Sequence, residues 1–584
     1  MKYSECLAEW LVQLGYTHCF YVGGGNIMHL LESLITRLDC RAVIHEGAAG
    51  IAAEYFNETS TEGHALALVT AGPGLTNLVT AMAGAYLESR ELLVLGGQVK
   101  TADLARGTLR QRGIQEIDGV AIARPVSILS ELVDEPLDFA AFSQRVLASR
   151  QGRKGPVFLE IPLDVQARTV AFEAQGKPIA ALALSTVTEQ ALEQLAQRLR
   201  AAQRPMFLLG GGVSRATMQG LSAWFQSAGI PVGTTWNAAD RMDAMAPVYV
   251  GRPNTWGQRS ANMVMQQADL LVAVGTRLGM QQTGFNWQQF VPGGQVVQVD
   301  LDRAELDKGH PRVDVALQAD ANDLLQRLSA KNLGAHSAWM DYARSVRQAL
   351  PAVEEGNTTG EDFLSPFQFA DRLSDLCQAI DIVIPCSSGG AFTVMMQTFR
   401  QKAGQLMVTN KGLASMGYGL AGAIGAAFAH PRRRVVLVEG DGGFTQNLQE
   451  IGTAAINQLN LKMFIFDDSG YASIRMTQRS YFGGRYVGCD RNTGLGLPNW
   501  DKLFGVWDVP ALRIGKGYEN DPQFLDLFGA PGPAAFIVTV DPEQTYFPKI
   551  MSRVTETGTM ESNPLHKMSP ELPPELQARV GKYL

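Results

Sequence analysis

Short apolar, β-branched runs alternate with amphipathic stretches along the whole chain, and this alternation is the feature that most constrains the fold. Runs such as ALALVT at 65–70, LLVAVGTR at 270–277 and VVLVEGDG at 435–442 are each followed by a stretch with helical spacing of apolar residues. Neighbouring parallel strands need a crossover connection, and a helix supplies it. The sequence therefore predicts the α/β class, with parallel sheets covered by helices.

The length of 584 residues is more than one hydrophobic core supports, so the strands must divide among several domains. Polar, extended stretches near 166–188 and over 330–362 separate three blocks of strand runs and are predicted to be connections. We predict three consecutive doubly wound parallel-sheet domains. Their predicted bounds are 1–170, 188–335 and 360–550, and a proline-rich C-terminal arm follows over 551–584.

The composition excludes several classes of protein. With 46% hydrophobic and 18% charged residues, the chain has the composition of a soluble globular protein. A net charge of −7 without a dense basic stripe argues against a nucleic-acid partner. The six cysteines contain no CxxC pair, which favours reduced thiols over a disulfide framework or a zinc site. No apolar run approaches the roughly 18–20 residues that a bilayer span needs. We therefore expect a cytoplasmic enzyme with no membrane partner.

Two neighbouring strands of the third block end in carboxylates flanked by glycine: Asp441 in EGDGGF, and Asp467 with Asp468 in FIFDDSGY. Ligands of parallel sheets bind beyond the carboxyl ends of the strands, where glycine turns present N–H groups to anions. A carboxylate in such a turn repels a phosphate unless a cation lies between them, which points to a divalent metal bridging Asp441 to a diphosphate. Either stretch alone fits an ordinary or capping turn equally well. Their spacing, one strand–helix–strand step, favours the metal.

This pair of motifs resembles the metal–diphosphate motif of thiamine diphosphate enzymes, in which the second element is usually Asn-Asn rather than Asp-Asp. Other segments are similar to the acetolactate synthase branch of that family, and the resemblance covers nearly the whole chain. These segments are RAVIHEGAAGIAAEYF, LALVTAGPGLTNLVTAMAGAYLES, KGPVFLEIPLDVQ and GLASMGYGLAGAIGAAFA. The resemblance implies thiamine diphosphate and Mg²⁺ as cofactors.

The resemblance also implies the site residues. The implied metal ligands are Asp441, Asp468 and the carbonyl of Gly470. The implied catalytic residues are Glu46, Gln115, Asn26 and His29. The implied cofactor-binding residues are Gly24, Gly25, Glu46, Ser387, Ser388, Gly389, Ala414, Met416, Gly440, Asp441, Gly442, Gly443, Asp468, Gly470, Tyr471 and Ala472.

Glu46 follows the predicted strand AVIH at 42–45 and opens a helix. In the resemblance it is the activating glutamate, whose proton is held against the aminopyrimidine ring of the cofactor, and we expect burial to keep that proton available. Alone, Glu46 fits a helix-start carboxylate stabilised by the helix dipole. His29 equally fits an ordinary residue on a helix surface.

In the acetolactate synthase branch the middle domain binds FAD in a mainly structural role, although relatives with an empty site occur. The segments LLGGGVS, GTR and VQVDLD resemble those that contact the flavin. Glycine-rich strand ends are a weak signal by themselves. The implied FAD residues are Gly211, Gly212, Arg277, Asp300 and Asp302.

The resemblance implies a transferase or lyase that decarboxylates pyruvate to an acetyl-anion equivalent. Two positions depart from the synthases: Gln281 replaces a signature arginine, and Thr477 replaces a tryptophan. An amide is a poor substitute for a bidentate guanidinium beside an acceptor carboxylate. We therefore predict a small neutral aldehyde or ketone acceptor, as in the carboligases of branched-chain sugar biosynthesis. The segments GYASIRMTQRSYFGG and VGCDRNTGLGLPNW resemble that subgroup.

Four alternatives remain open at this point: an acetolactate synthase joining two 2-oxo acids, a flavin-dependent 2-oxo acid oxidase, a plain decarboxylase, and a non-catalytic relative. The activating glutamate lies in the first block and the diphosphate motif in the third. In the family they meet across a subunit interface, which implies at least a homodimer, with a homotetramer expected.

Overall fold

Three six-stranded parallel sheets, one in each block of the sequence, form the body of the molecule. The computed structural model describes residues 1–171, 184–385, 388–554, 556–558 and 560–584. The predicted fold class, three consecutive doubly wound α/β domains, is confirmed. The linker predicted near 166–188 falls largely on residues 172–183, which lie outside the described residues.

The first domain has the strand order β2-β1-β3-β4-β6-β5. Its strands are β1 Tyr16–Tyr21, β2 Asp39–Ala42, β3 His64–Val69, β4 Leu92–Gln98, β5 Leu129–Leu132 and β6 Pro156–Pro162. Its helices are α1 Tyr3–Gln13, α2 Met28–Leu34, α3 Glu46–Thr59, α4 Pro73–Glu88, α5 Gly119–Ala123, α6 Phe139–Ala148 and α7 Leu163–Ala167.

The middle domain has the order β12-β11-β10-β7-β8-β9. Its strands are β7 Pro205–Leu209, β8 Val232–Thr234, β9 Tyr249–Gly251, β10 Leu270–Val274, β11 Gln295–Asp300 and β12 Val315–Gln318. Its helices are α8 Glu189–Ala201, α9 Arg215–Ala228, α10 Arg259–Gln266, α11 Met280–Thr283, α12 Arg303–Asp307, α13 Ala321–Leu328 and α14 Ser337–Ala349. Helix α14 lies within the connection predicted over 330–362 and packs into the core of this domain.

The third domain has the order β14-β13-β15-β16-β18-β17. Its strands are β13 Ile382–Pro385, β14 Leu406–Met407, β15 Val435–Gly440, β16 Leu461–Asp467, β17 Ala511–Ile514 and β18 Ala534–Thr539. Its helices are α15 Pro366–Leu376, α16 Gly389–Thr398, α17 Tyr418–Ala429, α18 Asp441–Phe444, α19 Ile451–Ile456, α20 Ala472–Phe482, α21 Trp500–Leu503 and α22 Pro522–Gly529.

The C-terminal arm folds back onto the middle domain. It consists of the hairpin β19 Ser552–Val554 and β20 Met560–Ser562, and of the helix α23 Pro574–Val580. The side chains of Leu565, Met568 and Val580 are buried in the core of the middle domain. Among the described residues, no helix combines the length and the apolar character that a membrane span requires.

The sequence prediction misses four strands, β5, β9, β12 and β17, and each lies at an edge of its sheet. An edge strand is short and packs against one neighbouring strand only, so it needs no continuous apolar run. Three of the four are partly exposed along their length. The strand predicted at 42–45 is displaced: β2 ends at Ala42, because the N–H groups of Ile44 and His45 donate to Glu450 instead of to a strand.

The first and third domains share one hydrophobic core, although the middle domain separates them in the sequence. Helices α3 and α17 cross at the centre of this core. A Cβ at Gly425 would lie 2.1 Å from the carbonyl oxygen of Ala52, and one at Gly422 would lie 2.7 Å from the ring of Tyr55. Glycine at these two positions therefore permits the close crossing that joins the two domains.

Candidate active site

The carboxyl ends of β15 and β16 bring the two predicted acidic turns together. Asp441 follows β15 and is almost fully buried. Its carboxylate accepts hydrogen bonds from the backbone N–H of Gly442 at 2.5 Å and of Gly470 at 2.9 Å. The bond to Gly470 joins the turn after β15 to the turn after β16. The implied ligands Asp441 and Gly470 are therefore neighbours in the structure.

The two aspartates that end β16 point in different directions. Asp468 is buried and lies 3.2 Å from the guanidinium of Arg475 in α20. Asp467 lies towards solvent and forms an ion pair with Arg513 at 2.9 Å. The structure therefore places Asp468, and not Asp467, on the same side as Asp441.

The electrostatics of this acidic pair suit a cation. Burial raises the pKa of Asp441 well above its usual range, and the carboxylates of Asp468 and Asp467 raise it further. Burial also raises the pKa of Asp468 to about 7, against the opposing effect of Arg475. Both groups thus retain protons more tightly than an exposed aspartate, and a divalent cation would displace those protons and relieve the repulsion between the carboxylates.

The residues also fit a metal that is completed by phosphate. Among the described residues, no group of three or more His, Cys, Asp or Glu side chains could hold a metal ion by itself. Magnesium needs about six oxygens, so a cation here would take further ligands from another molecule. The hydroxyl of Tyr546 is buried, has no hydrogen-bond partner among the described residues, and feels the charges of Asp468 and Asp441. An orphaned hydroxyl beside the acidic pair is what an absent oxygen-rich ligand would leave.

The implied phosphate-binding residues lie close to this pair. Ser388 is the residue before α16, and Gly389 begins the helix with a positive φ of 81°. Tyr546 packs directly on the next residue, Gly390, where a Cβ would meet its ring at 2.2 Å. Ser387 lies outside the described residues. The start of α16 and the acidic pair therefore share Tyr546 as a neighbour.

The turn after β15 is covered by an aromatic ring. A Cβ at Gly442 would lie 2.2 Å from the ring of Tyr471, so this close contact requires glycine. Tyr471 precedes α20 and donates its N–H to the carbonyl of Cys489 at 2.8 Å. The implied residues Gly440, Gly443 and Ala472 flank the same two turns.

The loop before α17 carries Ala414 and Met416. Ala414 has a left-handed φ of 54°, which is unusual for a residue with a Cβ. The sulfur of Met416 accepts a hydrogen bond from the side chain of Gln446 at 3.7 Å, and Asn447 donates to the carbonyl of Gly417 at 2.6 Å. This loop therefore packs against the segment that follows Asp441.

Glu46 begins α3, as the sequence predicts, but it is only partly buried in the single chain. The expected burial is therefore not reached within one copy. Its carboxylate accepts a hydrogen bond from the side chain of Asn77 at 2.9 Å. Among the described residues, no hydrogen bond or ion pair joins Glu46 to Asp441 or Asp468.

Glu450 positions the turn that leads to Glu46, and the sequence analysis missed it. This fully buried carboxylate accepts from the backbone N–H of Ile44 at 3.1 Å and of His45 at 3.0 Å, and from the hydroxyl of Thr453 at 2.6 Å. A glutamate in the run NLQEIGT carries no local signal of this role, because its partners Ile44 and His45 lie in a different domain of the chain.

The other implied residues of the first domain surround the ends of its strands. A Cβ at Gly24 would lie 2.5 Å from Thr70, whereas Gly25 faces open space. Asn26 lies in a 3₁₀ turn after β1, and its carbonyl accepts from Gln166 at 2.8 Å. His29 is partly exposed in α2.

Gln115 lies in the exposed loop between β4 and α5 and has a left-handed φ of 63°. A Cβ at Gly72 would lie 2.3 Å from the carbonyl oxygen of Gln115, so this loop rests directly on the turn before α4. A strained residue held by such a contact is typical of a functional loop.

A buried carboxylate, Glu160 on β6, lies beneath this loop. Burial raises the pKa of Glu160 to about 8, and the nearby carboxylates of Asp118 and Glu116 act in the same direction, whereas Gln98 opposes them. The carboxylate packs so closely under Gly119 that a Cβ there would lie 2.3 Å from its oxygen. The raised pKa favours the protonated, neutral form of Glu160 at neutral pH.

We expect the Glu160→Gln variant to be more stable than the parent protein at pH 9 and about equally stable at pH 5. The stabilisation provided by protonated Glu160 is complete below its unfolded pKa of 4.5 and is lost as the pH rises through about 8. The difference in unfolding free energy approaches an upper bound of about 5 kcal/mol at high pH. Thermal unfolding of both proteins from pH 5 to 9 measures it; curves that stay parallel would contradict the assignment.

A large cavity of about 1630 Å³ lies where the three domains meet. Four of the implied FAD residues line it, namely Gly211, Gly212, Arg277 and Asp300. Asp302 does not line it: its carboxylate caps α12 through the N–H of Ala304 and pairs with Arg153. Four of the five implied positions therefore line one cavity, whereas Asp302 forms a helix cap and an ion pair.

Three family descriptions match the chain, one for each domain. Residues 1–122 match the N-terminal TPP binding domain of thiamine pyrophosphate enzymes, residues 192–328 match the central domain, and residues 388–538 match the C-terminal TPP binding domain. Together with the three sheets and the acidic pair at the edge of the third, these matches define the class. The protein is a thiamine diphosphate-dependent enzyme.

Similarity to curated proteins narrows the class. The large subunit of acetolactate synthase isozyme 2 of Escherichia coli is 30% identical, over 96% of this chain and 100% of that protein. The isozyme 1 large subunit of the same organism is 29% identical, over 94% of this chain and 95% of that protein. Acetolactate synthase 1, chloroplastic, of Zea mays is 29% identical, over 94% of this chain and 87% of that protein. The chain belongs to the acetolactate synthase-like family, which confirms the predicted class of carbon–carbon bond-forming enzymes.

Proposed function

We propose that the protein is a carboligase that decarboxylates pyruvate and transfers the resulting acetyl-anion equivalent to a neutral aldehyde or ketone. The observation that carries the acceptor assignment is Gln281, which stands in the place of the signature arginine. An arginine binds an acceptor carboxylate with a full charge and two parallel hydrogen bonds, and an amide offers neither. Thr477 supports the same assignment, because it is an exposed, small side chain on α20 in the place of the tryptophan.

Product analysis tests the acceptor. Purified enzyme with Mg²⁺ and thiamine diphosphate is supplied with pyruvate together with either 2-oxobutyrate or a panel of neutral aldehydes and ketones, and the products are identified by mass spectrometry. We expect saturable formation of acetylated products from neutral acceptors. Efficient formation of the 2-oxobutyrate product without any product from neutral acceptors would overturn the proposal.

Thiamine diphosphate, when bound, supplies the carbon nucleophile for this chemistry. We infer that Asp441, Asp468 and the carbonyl of Gly470 hold Mg²⁺ against its diphosphate, and that Glu46 holds a proton against its ring. Ala414 and Met416 belong to a loop that packs against the segment after Asp441, where they would support the ring of the cofactor. Asn26, His29 and Gln115 lie at the ends of strands in the first domain, where they would contact the reacting groups.

We infer that two copies of the chain complete each site. Glu46 is partly exposed and forms no bond to the acidic pair of its own chain among the described residues, and its neighbour Ile44 exposes 55% of its surface. A second copy that covers this surface would bring its own acidic pair towards Glu46 and exclude water. A homodimer is the smallest active unit in this proposal, and a homotetramer is the expected assembly. Sedimentation of the holoenzyme as a monomer would contradict it.

We propose FAD as the occupant of the large cavity. Its walls carry the cationic side chains of Arg277 and Arg433, which form no ion pair among the described residues and suit a diphosphate. The carboxylate of Asp300 at the end of β11 suits a ribose hydroxyl. Pockets at domain interfaces commonly bind cofactors. A flavin absorbance spectrum of the purified protein, with FAD released on denaturation, tests this; protein that neither carries nor takes up FAD contradicts it.

Two alternative activities have specific support. The curated relatives are acetolactate synthases, so joining two 2-oxo acids is the first alternative. The cavity favours a flavin-dependent 2-oxo acid oxidase as the second. Pyruvate alone separates them: acetolactate formation supports the synthase, oxygen or quinone reduction supports the oxidase, and acetaldehyde release indicates a plain decarboxylase.

A further inference from the structure

One arginine is buried against the acidic pair and takes no part in the proposed metal coordination. Arg475 lies in the first turn of α20 and is 2% exposed. One terminal nitrogen of its guanidinium lies 3.2 Å from a carboxylate oxygen of Asp468 and donates to the carbonyl of Asp468 at 2.5 Å. The same nitrogen donates to the carbonyl of Pro542 at 3.2 Å. The guanidinium thus holds both the side chain and the backbone of one implied metal ligand.

The charges at this edge of the sheet need such a partner. Asp441 and Asp468 together carry two negative charges when ionised, and both are buried. Among the described residues, Arg475 is the one cation that forms an ion pair with either of them. The neighbouring pair Asp467–Arg513 is partly exposed and faces away from the site. A diphosphate approaching the acidic pair would therefore meet an uncompensated carboxylate if Arg475 were absent.

We propose that Arg475 is a positioning residue that balances the charge of Asp468. The ion pair of Asp468 and Arg475, with a net charge close to zero, then presents a carboxylate oxygen to the metal. This proposal rests on the proposed magnesium–diphosphate site. The guanidinium lies against one carboxylate oxygen of Asp468, and in this proposal the other oxygen contacts the cation. The arrangement combines a strong anionic oxygen donor with a site charge that a diphosphate tolerates.

The proposal gives the two single variants opposite effects. In Arg475→Met, the negative charge of Asp468 is uncompensated, so the carboxylate attracts Mg²⁺ more strongly and repels the diphosphate. In Asp468→Asn, the positive charge of the Arg475 guanidinium is uncompensated, so it repels Mg²⁺. Two unit charges about 6 Å apart at an effective dielectric constant of about 20 interact strongly enough to change a binding constant about 100-fold. Removing both charges together restores the balance.

Calorimetry on the full-length protein measures two dissociation constants. One is that of thiamine diphosphate at saturating Mg²⁺, and the other is that of Mg²⁺ at saturating thiamine diphosphate. We expect thiamine diphosphate to bind Arg475→Met about 30- to 100-fold more weakly, and Mg²⁺ to bind Asp468→Asn more weakly by a similar factor. The double variant Asp468→Asn/Arg475→Met should return to within about fivefold of the parent protein on both measures.

The matched control removes the outward ion pair with Asp467→Asn/Arg513→Met, which should leave both constants unchanged. A double variant that binds as weakly as the two single effects combined would show that Arg475 only supports the loop, and would overturn the proposal. If Arg475→Met does not fold, the comparison of Asp468→Asn with the double variant decides, because the proposal requires the double variant to bind Mg²⁺ more tightly. A parent protein that binds no Mg²⁺ and thiamine diphosphate would instead overturn the proposed function.

Discussion

Replacement of Asp441 by alanine should abolish the binding of Mg²⁺ and thiamine diphosphate together. Asp441 is the buried carboxylate that joins the two acidic turns through the N–H groups of Gly442 and Gly470. In the proposed site, its loss removes a metal ligand and also releases the turn that contains Gly470. Mutation of a residue that only supports a metal ligand lowers metal affinity about 10- to 100-fold. We therefore expect mutation of the ligand itself to lower Mg²⁺ affinity at least about 100-fold.

Calorimetric titration with Mg²⁺ and thiamine diphosphate measures this loss, and release of carbon dioxide from pyruvate should fall with it. Asp441→Asn removes the charge and keeps one of the two backbone hydrogen bonds, because Gly442 and Gly470 donate to different carboxylate oxygens and an amide has a single acceptor oxygen. The matched control is Asp467→Asn/Arg513→Met, which removes a partly exposed ion pair at the adjacent strand end without a change in net charge. Full cofactor affinity in Asp441→Ala would refute the metal assignment.

The second large effect is expected at Glu46. The Glu46→Gln variant should bind Mg²⁺ and thiamine diphosphate with nearly the affinity of the parent protein but release carbon dioxide from pyruvate about 10²- to 10⁴-fold more slowly. The amide preserves the shape of the side chain and its acceptor for the hydrogen bond from Asn77, but it has no proton to give to the ring. The defect should therefore appear in proton exchange at the reactive carbon of the bound cofactor.

Rapid-quench measurement of hydrogen–deuterium exchange at that carbon separates activation from binding. The control is Glu62→Gln, which changes an exposed glutamate just beyond the same helix. An unchanged exchange rate in Glu46→Gln would remove this residue from the catalytic assignment. A rate that falls only because thiamine diphosphate no longer binds would give Glu46 a binding role instead.

Much of the fold is predictable from local patterns, and the exceptions have a common cause. Central strands such as β3, β6 and β10 are continuous apolar runs because both of their faces are buried. The bounds predicted from the sequence for these strands differ from the observed bounds by at most a few residues. Edge strands lack that pattern. Helix α14 lies in a stretch whose polar ends resemble a connection, and only its packing against the middle domain shows that it belongs to that core.

The candidate site divides in the same way. The residue types and spacing of Asp441 and Asp468 favour a metal and a diphosphate, whereas the proton-holding role of Glu46 is implied only by the resemblance to thiamine diphosphate enzymes. The two aspartates at the end of β16 are adjacent in the sequence and chemically identical, yet one faces the site and the other faces solvent. Asp467 is the last residue of β16 and Asp468 is the first residue after it, and each is held by a different arginine, Arg513 and Arg475 respectively.

The sequence by itself determined the α/β class, the three sheets and the identity of the acidic turns, because strand burial and glycine-rich turns depend on residues close together in the chain. The tertiary structure alone decided that the first and third domains share a core, that Glu450 holds the turn before Glu46, and that Arg475 accompanies Asp468. These contacts join residues from different turns or domains. Their stability comes from mutual burial, which no local pattern records.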